Sequence, residues 1–259
     1  MGDALKDLSQ GFMKWRLWGM LAIEEIKGKY HRTFLGPIWI IGSFLIFIVF
    51  KIYVFSSLAD VDGSYFAAYL VMGHAVWMMM TSVINQGAAA FVSARSWILG
   101  VKTPFSLFLY ENLAGQMVHF VLTFATALVI AYLLYPFKPI AILYSFGGIC
   151  LTVFSMFWVM LLLATLSVFV RDIVQVTQAA MRISFFISPV LWVPSALGEK
   201  AHLLNYVPFT HYIAIIRAPL LNEATTPLNW IVVAGLTVVL MIASITLFSL
   251  CRKRIPSHV

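Results

Sequence analysis

Six long uncharged stretches, separated by short charged ones, organise the chain. They cover 34–57, interrupted only by Lys51, then 63–94, 113–137, 139–170, 173–197, interrupted by Arg182, and 224–251. About twenty predominantly apolar residues carry a helix across a bilayer, where every backbone polar group has to be bonded within the segment. The pattern therefore predicts an all-α membrane protein with six transmembrane helices, at 34–57, 64–92, 108–135, 140–170, 173–194 and 228–251. No charge run, low-complexity tract or fixed-period repeat interrupts them, so one membrane domain over 1–259 is expected.

Two segments outside the spans carry patterns of their own. Before the first span, Leu8, Phe12, Trp15, Gly19, Ala22 and Ile26 share a helical face while Asp7, Gln10, Lys14, Glu24 and Glu25 largely fall elsewhere. That spacing predicts an N-terminal interfacial amphipathic helix within 1–33. Between spans five and six, the segment 195–227 holds "LGEKAHLLNYV" and "PFTHYIAIIRAPLL", punctuated by Pro208, Pro219 and Pro227. These pieces are too apolar for a solvated loop and too short to span, so they predict re-entrant outer half-helices.

Composition and charge add an orientation. The chain is 62% hydrophobic and 10% charged, where a soluble domain carries about a quarter charged residues. Twelve Lys and Arg residues fall in the N-terminal segment, the 95–102 loop, the loop at Arg171 and the C-terminal tail, whereas Lys138, Lys200 and Arg217 alone occupy the other three loops. This asymmetry places both termini in the cytoplasm. The net charge of +7 then belongs mainly to that face and suits anionic lipid headgroups, with no nucleic acid implied. Charges at Asp3, Lys6, Asp7, Lys14 and Arg16 argue against a simple cleavable leader. Cys150 and Cys251, a hundred residues apart, suggest neither a disulfide framework nor a metal site.

Several chemistries lack their residues. An ion-coupled transporter wants an ionisable group near the bilayer midplane, yet the only carboxylate close to a span is Glu111 at one helix mouth. His74, His119, His202 and His211 have no neighbouring carboxylate pattern, so no catalytic constellation emerges. No phosphate-cradling G-x-x-x-x-G-K-[ST] loop occurs; no cofactor is expected on this chain, and energy for active transport has to arrive from another polypeptide.

Some residues carry two readings. Lys27, Lys29, His31 and Arg32 form a cationic collar that fits either positive-inside topology or a dock for a phosphate-bearing lipid. In "SARSWILGVKTPFSLFLYEN", residues 93–112, a short helix at about 96–101 is either a connector or a piece fitting a groove in a cytoplasmic partner, with Arg95, Ser96, Trp97 and Lys102 at the contact. Tyr65, Phe66, Tyr69 and Trp77 recur with His74 at helical spacing in span two, and Tyr206, Phe209, His211 and Tyr212 crowd the outer loop. They are core and interfacial rings, or surfaces for sugar faces. Arg182, eight residues or so into span five, should face protein, water or substrate. Lys51 can snorkel.

Together "YHRTFLGPIW", the short loop after span two, "VFVRDIVQVTQ", and "SPVLWVP" followed by "NYVPFTHYIAIIRAPLL" resemble the membrane permease of type-two ABC transporters. The closest branch is the exporters of bacterial cell-surface polysaccharide: O-antigen, capsule or teichoic acid. The family's Leu-Gly-Pro/x-x-Trp step is present as Leu35, Gly36, Pro37 and Trp39, and its Arg-Asp pair as Arg171 and Asp172. The resemblance implies a homodimer of six-helix subunits in the bacterial inner membrane, each paired with a separate cytoplasmic ATPase that holds ATP and Mg. It makes the Arg95 to Lys102 loop the coupling helix and 195–220 the outer gate. It also makes the N-terminal helix the frame through which an undecaprenyl-diphosphate-linked or other lipid-linked glycan is admitted. The same fold moving a drug or lipid, or an integral-membrane enzyme of lipid or glycan metabolism, are the competing readings.

Overall fold

The computed structural model describes residues 2–31, 36–55 and 61–259, with only the backbone of 196 and 197. The N-terminal segment forms two helices, α1 (Gly2–Met13) and α2 (Trp15–Tyr30). Lys14 between them takes φ −83° and ψ 37°, off the helical basin, so helical phase is reset there. The face counted continuously from Leu8 to Ile26 is thereby split. Leu8, Ala22 and Ile26 are buried, Phe12 and Trp15 are exposed, and Asp7, expected on the polar side, is buried beside Ala4, Leu8 and Gly11.

The remaining elements are α3 (Ile38–Phe55), α4 (Gly63–Ser93), α5 (Arg95–Gly100), α6 (Ser106–Leu134), α7 (Ile140–Phe169) and α8 (Asp172–Ile187). A 3-10 segment (Pro194–Tyr206), α9 (Pro208–Leu220), α10 (Pro227–Cys251), a 3-10 turn (Arg252–Arg254) and α11 (Ile255–His258) follow. No strand occurs among the described residues. Gly36, at φ 55°, and Pro37 open α3, whose first turn accepts no N–H from proline. The Asp62 carboxylate caps α4, accepting from the Tyr65 N–H at 2.9 Å.

Among the described residues, five helices are long and apolar enough to cross a membrane: α3, α4 with α5, α6, α7, and α10 with the tail. The predicted fifth span, 173–194, is shorter in the structure. Helix α8 has 16 residues and stops at Ile187, with Ser188 extended at ψ 144°, because the ring of Pro189 disfavours the helical basin for the residue before it.

Helix α4 sits at the centre, buried nearly all round and packed on α6, α7, α8 and α9, as a helix apolar on every side should be. Small residues set the close approaches. A Cβ at Gly148 of α7 would lie 2.6 Å from the Ile215 carbonyl oxygen of α9. By contrast α3 buries one stripe, Ile40, Phe44 and Ile48.

The bundle has two recognisable ends. At one, Arg252 reaches Asp7, and the rings of Phe169 and His258 meet at 4.9 Å. At the other, Tyr65 packs edge-on to Tyr135, and the Asn222 amide donates to the Pro136 carbonyl. The chain between α8 and α10 does not stay at that second end. The Tyr212 and Ser155 hydroxyls share a 2.6 Å hydrogen bond, and Ser155 is the sixteenth of the 30 residues of α7. Four residues beyond Tyr212, the Ile216 carbonyl accepts from the Ser145 hydroxyl at 2.7 Å. Helix α9 therefore starts at the mid-height of α7 and climbs back toward its beginning.

Candidate functional site

Chemistry-bearing residues gather at three levels of the bundle. The lowest is the end that holds both termini. Here α5, positioned by its continuation from α4 across Ala94, buries Ile98 and exposes Trp97, Leu99 and Val101. The expected helix at 96–101 is thus present one residue earlier, and Arg95, Ser96, Trp97 and Lys102 all lie exposed on it or just after it. Beside it opens a cleft of about 880 Å³, walled by Gln10 and Met13 of α1, Lys14, Ile98 to Phe105, and Arg252 and Pro256 of the tail. Three cations, Lys14, Lys102 and Arg252, line an otherwise apolar and neutral cleft.

The collar stands higher, on α2. This helix runs alongside the first half of α6: Trp18 stacks near Tyr110 and the Tyr30 ring lies 6.0 Å from that of His119. Lys27 pairs with Glu24 at 2.8 Å and Lys29 with Glu25 at 2.7 Å. These are pairs at helical i,i+3 and i,i+4 spacing, so half of the expected collar is neutralised locally. His31 is exposed, and Arg32 lies outside the described residues. Glu25 and Glu111 face a common cleft of about 280 Å³ between α2, α4 and α6, next to the 2.7 Å hydrogen bond from the Gln116 amide to Gln86.

The third level holds the aromatic candidates. Phe66, Tyr69 and Trp77 are buried inside the protomer, and Tyr65 is half-buried with its hydroxyl donating to the Glu223 carboxylate. The structure brings two of the expected groups together, since Trp77 meets Phe209 edge-on at 5.2 Å. His211 has both ring nitrogens engaged, with the Asn229 side chain at 2.7 Å and the Asn205 carbonyl at 3.0 Å. Tyr206 is fully at the surface.

Arg182 is apart from these rings, exposed on the outward side of α8. Asp172, Gln175 and Gln178 are exposed with it, and at 100° per residue these four occupy one side of the helix. Val176, Ile183 and Ile187 occupy a second exposed side, and Thr177 and Met181 are buried on a third.

Three arrangements escaped sequence reading. Arg217, counted as a loop cation, is buried at 6% exposure: its guanidinium lies 3.5 Å from the Tyr69 ring centre and donates to the Pro189 carbonyl at 2.8 Å. Lys51, expected to snorkel, instead turns its ammonium inward to His74 Nδ1 at 3.1 Å and over the Phe185 ring at 4.9 Å. The aromatic neighbours supply a π face that replaces part of the lost hydration. Asp7 is the third. The proline after Arg217 and the small Gly73 beside it were available as signals, but no spacing rule ties residue 7 to residue 252.

The fold is that of a multi-span helical membrane protein with a cation-lined platform at one end. No family model matches the sequence. Among curated proteins, the chain is 20% identical to the O-antigen export system permease protein RfbA of Klebsiella pneumoniae over 89% of this chain and 90% of that one. A second RfbA from the same organism is 22% identical over 77% and 78%, and the RfbA of Myxococcus xanthus 23% identical over 92% and 94%. These likenesses over most of the chain support a type-two ABC exporter permease.

Proposed function

We propose that this chain is the membrane-spanning half of an ATP-driven exporter that moves a lipid-linked polysaccharide, O-antigen being the leading cargo, across the bacterial inner membrane. The carrying observation is likeness to O-antigen export permeases over about nine-tenths of both chains in two of three cases. On this reading the chain performs no reaction. A separate ATPase subunit holds ATP and Mg, and two copies of each subunit form the working assembly.

The geometry supports six crossings: α3, α4, α6, α7, α8 and α10. Asp7 and Arg252 meet at one end, which requires an even number of passages. Sixteen residues of α8 rise only about 24 Å, short of the ~30 Å of hydrocarbon. The turn at 188–193 and the α9 hairpin complete that passage. With the cation-rich end taken as cytoplasmic, α9 is the outer hairpin that dips to mid-depth and returns.

The polar side of α8 is the proposed wall of the glycan path. Asp172, Gln175, Gln178 and Arg182 would be costly against lipid, and they are uncovered in the protomer. A second copy facing this side encloses a polar channel between the two. Trp77 then backs the channel through Phe185 and Phe209. With Lys27 and Lys29 paired to Glu24 and Glu25, the reading assigns the lipid diphosphate to the collar's other two members, His31 and Arg32.

The test is a deletion strain complemented by the chain with its ATPase. The expected result is surface polysaccharide restored by the pair and by neither subunit alone, with lipid-linked glycan accumulating inside the deletion strain. Restoration by the chain with an ATPase unable to hydrolyse ATP would overturn the reading.

A further inference from the structure

Asp7 is a fully enclosed charge in the molecule's lower end, and its partners come from two distant parts of the sequence. Its side chain has 0% exposure. One carboxylate oxygen accepts from the Ser106 N–H at 3.0 Å, and the other from the Phe105 N–H at 3.2 Å. The second oxygen also accepts from Arg252 Nε at 3.0 Å and Nη2 at 2.8 Å. The Asp7 carbonyl accepts from the Ser106 hydroxyl at 2.8 Å. A carboxylate on α1 thus caps the first turn of α6, where unpaired N–H groups and the helix dipole favour a negative charge. At the same moment it grips the guanidinium that ends α10. Gly11, one turn further along α1, is packed so closely on Ser106 and Leu107 that a Cβ would collide with the Ser106 hydroxyl.

We propose that Asp7 is a positioning residue that fuses α1, the start of α6 and the C-terminal tail into one rigid body, so that a push on α5 moves all three together. The cleft beside α5 is walled by these same three segments, and α5 reaches Asp7 through the five residues from Val101 to Phe105. The coupling half of this proposal rests on the exporter reading; the rigid-body half does not.

The experiment places spin-label pairs at Ser9 with Lys102 and at Ser9 with Ser257, in a chain whose two cysteines are replaced by serine, diluted with unlabelled chain in lipid nanodiscs. With Asp7 present, both distance distributions are narrow and stay so when the ATPase is added and trapped with ATP. In Asp7→Asn and in Arg252→Gln, the distribution to Ser257 broadens. Export per ATP hydrolysed falls about tenfold in both variants while ATP hydrolysis persists, a ratio that a general loss of folded protein would leave unchanged. A distance that shifts by more than about 5 Å between nucleotide states in the Asp7 chain overturns the proposal, and so does an unchanged export ratio in Asp7→Asn. Should Asp7→Asn fail to assemble, the Asp7 chain and Arg252→Gln still decide it. If the distances behave as stated but no ATPase pairs with the chain, the exporter reading fails and the fused body stands.

Discussion

The Arg217 guanidinium lies over the Tyr69 ring, 3.5 Å from its centre, and both side chains donate to one acceptor, the Pro189 carbonyl. That carbonyl follows the end of α8, Tyr69 belongs to α4 and Arg217 to α9, so a single contact ties the hairpin to two helices. A buried cation against a ring is worth about 2 kcal/mol, and a hydrogen bond to a charged group about 1.5–3 kcal/mol. Arg217→Ala is expected to destabilise by about 3 kcal/mol, read as a lowered thermal midpoint in detergent. Tyr69→Phe keeps the ring and loses one hydroxyl bond, and should cost about 1 kcal/mol. Equal losses in the two variants would show that the ring contact contributes nothing.

Adjacent glycines in α7 offer an internal control. A Cβ on Gly148 would sit 2.6 Å from the backbone oxygen of Ile215, whereas one on Gly147 would meet only the Trp230 ring at 3.8 Å. Gly148→Ala forces α9 away from α7 and should cost about 1–3 kcal/mol. Gly147→Ala is expected to be neutral or slightly stabilising, since alanine is the better helix former. Thermal unfolding of the pair side by side checks the difference, and indistinguishable midpoints would mean α9 is free to shift.

How legible all this is from sequence depends on the length scale of the signal. Uncharged runs of twenty or more residues gave helices α3, α4, α6, α7 and α10 close to their observed limits, because the bilayer dictates their length. Helix α8 was overextended because Ser188 and Pro189 are as uncharged as what precedes them, and only backbone sterics end the helix there. The N-terminal face was miscounted because one residue, Lys14, resets the phase, and nothing in its identity announces that. The short helix α5 is legible because its segment is short and flanked by two long spans. Asp7 with Arg252, Tyr69 with Arg217 and Lys51 with His74 were not, because each pair joins segments whose registry is set by packing, which periodicity within one helix cannot convey.

Helix α5 gives an expectation for assembly. Trp97 and Leu99 are each more than half exposed while Ile98 between them is buried at 8%. On the exporter reading the two exposed side chains are anchors for the ATPase, and the loss of a well-packed aromatic anchor commonly exceeds 2 kcal/mol. Trp97→Ala is expected to weaken ATPase pull-down at least tenfold with unchanged membrane abundance. Ile98→Ala should instead lower abundance. If Trp97→Ala retains full ATPase binding, α5 is a connector.

On the exporter reading, the three-sided character of α8 is the most direct handle on the proposed glycan path. Gln175 and Gln178 stand on the polar exposed side, Val176 and Ile183 on the apolar exposed side, and Thr177 and Met181 against the bundle. A lipid-facing cysteine stays protonated and out of reach of a charged reagent, whereas one on a hydrated wall forms thiolate and reacts. In a chain with Cys150 and Cys251 replaced by serine, cysteines at 175 and 178 are expected to react with a membrane-impermeant thiol reagent at least tenfold faster than cysteines at 176 and 183. Trapping the ATPase with ATP should change the first pair of rates and leave the second alone, because only the polar side borders a space that alters during transport. Equally slow labelling on both exposed sides would mean that α8 faces lipid throughout, and the glycan path would then have to lie along another helix.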